Sequence, residues 1–173
     1  LEGDEPALVI ECLNGYRLKE ELPINLGEYK TPIGQVETIK NGTDLTVVSY
    51  GSTLRIVEEV ALELQQVAIN IEIIDAQSLL PFDLNHECAE SLSKTNKLLV
   101  IDEDIPGGAS AYILQEILEN QNGYNYLDSK PATLTAKPHR TAYGTDGDYF
   151  SKPSAEDIFE KILLVSLTLS FVL

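Results

Sequence analysis

The chain has 173 residues, 43% of them hydrophobic, which is enough for one domain with a real core. Its 28 acidic against 12 basic side chains give a formal charge of −16, which argues against nucleic acid and anionic membranes as partners and favours a basic protein; a solvated acidic surface is the plain alternative. The two cysteines, Cys12 and Cys88, show no Cys-x-x-Cys or Cys/His spacing, which sets aside a zinc site or a disulfide framework and fits a reducing cytoplasm.

The first residues carry no basic stretch followed by an apolar one, so no secretory leader is read there, and the absence of methionine reads as a piece of something longer. Residues 6–11 (PALVIE) are expected to form a short strand. From 12 to 32 the chain is rich in Asn, Gly, Glu, Tyr and Pro without a sustained period, the composition of a linker or wrapping arm. The weak alternation over 34–40 (GQVETIK), closed by Asn41-Gly42, predicts an edge strand joined to an antiparallel neighbour by a tight turn. Residues 44–50 (DLTVVSY) are β-branched and apolar, a strand covered on both faces, and Gly51 permits a sharp exit into a helix that Ser52 or Thr53 can cap. Leu54, Val57, Val60, Ala61 and Leu64 form the apolar stripe of that helix, over about 52–67, and Glu58, Glu59 and Glu63 fall off it.

A second strand is read at 69–75 (INIEIID). The chain then passes Pro81 to a helix at 83–95 that starts at Asp83 and places Leu84, Cys88 and Leu92 on one face. A third strand at 97–102 (KLLVID) ends in the cluster Asp102, Glu103 and Asp104, ahead of Pro106-Gly107-Gly108. The helical period resumes over 109–120 through Ile113, Ile117 and Leu118, with Gly123 as its stop. Residues 131–136 (PATLTA) are β-prone, 137–153 form a long loop, and Ser154 opens a helix. The apolar run 162–173 is shorter than the roughly 20 residues of a membrane-spanning helix and reads as a packed terminal strand or a non-native tail. Together these elements predict an α/β fold, a mainly parallel sheet of about five strands with one antiparallel edge strand and helices on both faces.

Ligands in such sheets gather at the carboxyl ends of the strands, which directs attention to Gly51-Ser52, Asp75-Ala76-Gln77 and Asp102-Glu103-Asp104. The three carboxylates can ligate a divalent cation or supply an acid/base pair, but no second segment offers ligands, and capping of the next helix is the preferred reading. Gly107-Gly108 lacks the lysine and the full glycine pattern of a phosphate loop and reads as a tight turn into a helix. Asp146-Gly147-Asp148 begins like a calcium loop but continues with Phe150 and Ser151 where a ligand and a glycine are needed. His86 and His139, the latter beside Arg140, have no serine or cysteine nucleophile in a recognisable neighbourhood, so each is a surface or interface histidine.

The order of the pieces is familiar. The arm at 13–42, the turn VSYGS at 48–52, the run D-x-x-S-L-x-P-x-D at 75–83 and the stretch VIDE with its following glycine pair at 100–108 resemble the C-terminal part of a beta subunit. The family is the thiamine-diphosphate-dependent 2-oxo acid dehydrogenases, the pyruvate and branched-chain (2-oxoisovalerate) group related to transketolase, whose beta portion is a separate subunit or half of a fused chain.

The resemblance implies three regions: the end of a pyrimidine-binding domain and its linker over 1–33, a transketolase-like C-terminal domain over 34–162, and an atypical apolar tail over 163–173. It implies a parent that oxidatively decarboxylates a 2-oxo acid with thiamine diphosphate and magnesium and passes the acyl group to a lipoyl domain. The metal motif of that family is Gly-Asp-Gly, and Thr145-Asp146-Gly147-Asp148 departs from it. The resemblance therefore assigns this chain no catalytic, cofactor or metal residue, and the chain alone is expected to be inactive. It implies assembly instead, with an alpha subunit or half, a second beta copy and the basic subunit-binding domain of the lipoyl acyltransferase. The interface candidates are Gly51, Ser52, Pro81, Phe82, Asp83, Asp102, Glu103, Asp104, His139 and Arg140. The alternatives are the equivalent domain of a transketolase-like ketol transferase and a free-standing acidic interaction module.

Overall fold

A computed structural model describes residues 4–19, 21–22, 24–140, 143–144 and 147–168. At its centre lies β2 (Leu45–Ser49), all five of whose residues are buried, the pattern of a strand covered on both faces. It pairs in parallel with β3 (Ile71–Asp75) and β4 (Leu98–Ile101), and β5 (Ala132–Leu134) continues the parallel set beyond β4. β1 (Glu37–Lys40) closes the other edge antiparallel to β3, giving a five-stranded sheet in the order β1-β3-β2-β4-β5.

Successive side chains of a strand point to opposite faces, and the core divides accordingly. Val47, Ile71, Ile73, Leu99 and Ile101 pack with α1 (Ser52–Leu64) and with Ile158, Ile162 and Val165 of α5 (Ala155–Ser166). Val48, Ile74, Leu98 and Val100 pack with Cys88 and Leu92 of α2 (Glu87–Thr95) and with Ile113 of α3 (Ala109–Gln115). The second face also buries polar groups. Thr46 Oγ1 lies 2.6 Å from Ser91 Oγ and 2.7 Å from Thr95 Oγ1, so each hydroxyl that leaves water finds a partner. Glu72 of β3, buried beside them, accepts from the Gly42 amide at 3.0 Å and pairs with Lys94. Burial raises the Glu72 pKa, but hydrogen bonds from Lys94, Ser91 and Gly42 outweigh it and hold the carboxyl below its usual range.

Several expectations change. Residues 6–11 form no strand; Leu8, Val9 and Ile10 are exposed and find no partner strand among the described residues. Asn41-Gly42 does not join a hairpin, because β1 pairs with β3 and not with the β2 that follows it. Gly42 is instead pressed against the neighbouring strand, where an added Cβ would lie 2.1 Å from the Ile71 carbonyl carbon.

The helix expected from Asp83 begins at Glu87. Asp83 and His86 adopt positive φ of 39° and 59°, and the Asp83 carboxylate accepts from the amides of Glu87 at 2.9 Å and Cys88 at 2.8 Å. Leu84 consequently lies before the helix and is exposed. α3 passes into a wider turn over Glu116–Asn120 that ends in Gln121, two residues before Gly123, which opens a tight turn of its own after Asn122 at φ 59°. The long loop holds a short helix, α4 (Gly147–Ser151). Residues 162–166 are the last turn of α5 and not a strand; Ser154 caps that helix in a reciprocal box with Asp157, and residues 169–173 lie outside the described set. Among the described residues no helix is long and apolar enough to cross a membrane.

Gly42→Ala is expected to cost about 3 kcal/mol or more, because the methyl meets backbone that cannot yield without parting β1 from β3. Denaturant unfolding of the variant checks this, and a loss under about 1 kcal/mol would contradict the close approach.

Candidate functional site

The carboxyl ends of β2 and β4 meet at one rim of the sheet. β2 leaves through Gly51, whose φ of 61° and ψ of −139° make a bend that favours glycine, and α1 starts at the next residue. The Cys12 thiol of the arm lies over this bend, 3.2 Å from where a Gly51 Cβ would stand.

Asp102 follows β4 and is fully buried. Its Oδ1 accepts from the Tyr50 hydroxyl at 2.5 Å and the Asp104 amide at 2.9 Å, and its Oδ2 accepts from the Ser110 amide at 2.8 Å. Ser110 is the second residue of α3, so Asp102 caps that helix, as the capping reading of the acidic cluster expects. Burial, the hydrogen bond to Asp102 and the charges of Asp102, Asp104 and Glu103 all push the Tyr50 phenol well above its usual range.

Glu103 extends the network outward. Its Oε2 accepts from the Ser52 hydroxyl at 2.6 Å and from Lys152 Nζ at 3.1 Å, joining the β2 exit to the loop after β4 and to the segment after α4. Asp104 Oδ1 accepts from the Ile105 amide at 2.7 Å, and its carbonyl receives the Ala136 amide at 2.9 Å. The structure thus brings Gly51, Ser52, Asp102, Glu103 and Asp104 together.

The remaining candidates lie elsewhere. Pro81 is exposed on the loop after β3; Phe82 is buried, 6.5 Å edge-to-face from Tyr112, and Asp83 is turned inward to cap α2. His139 and Arg140 sit on the exposed loop beyond β5, where the Arg140 guanidinium lies 4.9 Å over the Tyr143 ring and bonds its hydroxyl. His86 is exposed at the turn into α2. Thr145 and Asp146, half of the run compared above with a metal motif, lie outside the described residues.

At the end of β3, burial first, and then the charges of Glu37 and Glu58, raise the Asp75 carboxyl above its usual range against the pull of the Gln77 amide. A diphosphate at this rim would face Asp75, Glu103 and Asp104, and among the described residues no three His, Cys, Asp or Glu side chains are grouped to hold a metal. These residues do not fit thiamine diphosphate with magnesium. Nor does Ser52 have the surroundings of a nucleophile, since the carboxylate oxygen it meets is also neutralised by Lys152. The rim is a closed staple. Tyr50, Ser110 and Lys152 complete it without a local signal; Tyr50 alone stands next to a marked turn.

Residues 34–154 match the family described as transketolase, C-terminal domain. The pyruvate dehydrogenase E1 component subunit beta of Gracilaria tenuistipitata var. liui is 32% identical over 83% of this chain and 43% of its own length. The acetoin:2,6-dichlorophenolindophenol oxidoreductase subunit beta of Bacillus subtilis (strain 168) is 30% identical over 80% of this chain and 39% of its own. Among solved structures, a split-gene transketolase in an inactive beta4 tetramer superposes with a TM-score of 0.65 at 22% identity, over 83% of this chain and 44% of that one. The chain thus spans less than half the length of these relatives.

A raised phenol pKa stabilises the fold fully below the unfolded value, and the effect is lost as pH rises toward the folded one. Tyr50→Phe is therefore expected to cost about 1 kcal/mol at neutral pH, with the gap to the native chain closing above about pH 10. Denaturant unfolding across that range checks this; a gap independent of pH would contradict the Tyr50–Asp102 bond.

Proposed function

The chain belongs to the transketolase C-terminal domain family, and from that premise we propose that it is the assembly domain of the beta subunit, or beta half, of a thiamine-diphosphate-dependent 2-oxo acid dehydrogenase. The observation that carries this reading is the strand-end rim, where Asp102 and Glu103 are engaged with Tyr50, Ser110, Ser52 and Lys152 and leave no convergent reactive group. The names of the relatives favour pyruvate over a branched-chain 2-oxo acid as the parent's substrate. In this proposal thiamine diphosphate and magnesium belong to the parent and are held by its other domains. The exposed apolar side chains of the arm, Leu8, Val9, Ile10 and Ile24 among them, suit a segment that lies against a neighbouring domain.

The partners proposed are an alpha subunit or half, a second beta copy and the basic subunit-binding domain of a lipoyl acyltransferase. A formal charge of −16 suits the last, because complementary fields raise association rate and discriminate between partners. Gly51, Ser52, Glu103 and Asp104 on the rim, with Pro81 on the loop after β3 and His139 and Arg140 on the far loop, are the contact residues we assign to assembly. Two unpaired cysteines, Cys12 and Cys88, suit a reducing compartment such as the cytoplasm.

Titration of the chain with a basic subunit-binding domain tests the docking. Binding is expected at low salt and is expected to weaken at least tenfold as ionic strength passes the range where the Debye length falls below about 8 Å. Binding indifferent to salt, or none at low salt, would contradict the electrostatic reading.

A further inference from the structure

β1 is an edge of the sheet, and Glu37, Thr38 and Ile39 are exposed along it. Among the described residues no main-chain hydrogen bond from outside the sheet reaches this strand. A row of free N–H and C=O groups is a template for another strand, and proteins blunt such edges with bulges and lysines. β1 has both, but its lysine does not face the open edge. Lys40 is turned toward the neighbouring strand, where its ammonium donates to Asn70 Oδ1 at 2.6 Å and to the Ile71 carbonyl at 3.0 Å. The bulge falls between Thr38 and Lys40, at Ile39.

A groove flanks this edge on each face of the sheet. On the α1 side, about 440 Å³ opens where Ile39 and Leu62, the latter 65% exposed, offer an apolar strip between the charged side chains of Lys40, Arg55, Glu58 and Glu59. On the α2 side, about 550 Å³ opens among Thr38, Asn85, Glu87, Glu90 and Ser93, a polar wall in which Lys94 is paired with Glu72 and the carboxylates of Glu87 and Glu90 carry the remaining charge. Side chains of a strand added to β1 would alternate between these two grooves. One set would meet Ile39 and Leu62, the other Glu87 and Glu90.

We propose that the outer edge of β1 is a docking site for an extended segment of a partner protein in which apolar and basic residues alternate. Main-chain bonds to β1 hold the segment, the apolar set packs on Ile39 and Leu62, and lysine or arginine side chains face Glu87 and Glu90. The net charge of −16 draws such a segment in. This site lies away from the β2–β4 rim and stands whether or not the proposed parent enzyme is correct.

The test uses the full chain and a synthetic peptide of alternating valine and lysine, with two controls: valine alternating with glutamate, and the first peptide with alternate backbone amides N-methylated in each register. Fluorescence anisotropy reads affinity and amide hydrogen exchange reads location. The valine–lysine peptide is expected to bind at least about tenfold tighter than the valine–glutamate one and to protect residues 38–40. Methylation in one register is expected to abolish binding. Glu87→Gln with Glu90→Gln is expected to weaken it roughly three- to tenfold. Equal affinity for both charge patterns, protection elsewhere, tolerance of methylation in both registers or no binding at millimolar peptide would each overturn the proposal. So would peptide-free protection of β1 that grows with protein concentration, which would give the edge to a second copy.

Discussion

The burial of β2 on both faces governs the rest of the molecule. A strand with apolar side chains on each side needs a layer of helix above and below, and parallel neighbours need crossovers that supply those helices. α1 follows β2 and packs on one face, while α2 and α3 flank β4 in sequence and cover the other. Because β2 leaves the sheet beside β4, the sharp exit at Gly51 and the loop at Asp102 are forced into proximity. The polar groups that β2 carries into the core are paired there: Thr46 with Ser91 and Thr95, and Ser49 with the Ile101 carbonyl at 3.1 Å.

That proximity is spent on stability. In other α/β sheets the same location offers free backbone amides and unpaired side chains to a ligand. Here a buried carboxylate fills the gap, taking the Tyr50 hydroxyl and the amides of Asp104 and Ser110, and a second carboxylate ties Ser52 to Lys152. Truncating one member of such a network strands the others without water, so the arrangement holds the strand ends and helix starts at fixed distances. Our proposal assigns this fixed rim on an acidic body, and the exposed apolar side chains of residues 8–10, to assembly.

Legibility in the sequence followed the range of the cause. β2, β3 and β4 are readable as β-branched and apolar runs, the mark of strands buried on both faces, α1 is readable from an apolar stripe at three- and four-residue spacing, and the Ser154 cap is readable because its partner Asp157 is three residues away. The sequence pattern starts α2 four residues early because Asp83 is a good cap by type, and nothing nearby reveals that its φ is 39°. The run 162–173 reads as a terminal strand or a non-native tail because a short apolar run shows no period by itself; burial of Ile158, Ile162 and Val165 at helical spacing appears only once the facing strands are in place. β1 was recognised as an edge but given the wrong neighbour, since pairing with β3 depends on the Gly42 backbone passing over Ile71. At the rim, Asp102 and the turn at Gly51 were evident from composition, while Lys152 lies 49 residues from Glu103 along the chain and carries no local mark.

The central proposal is that this chain holds strand ends closed for assembly and leaves cofactor chemistry to the rest of a larger parent. Calorimetric titration of the chain with thiamine diphosphate and magnesium tests it most directly. The account predicts no saturable heat up to millimolar cofactor; tight, magnesium-dependent binding would contradict it.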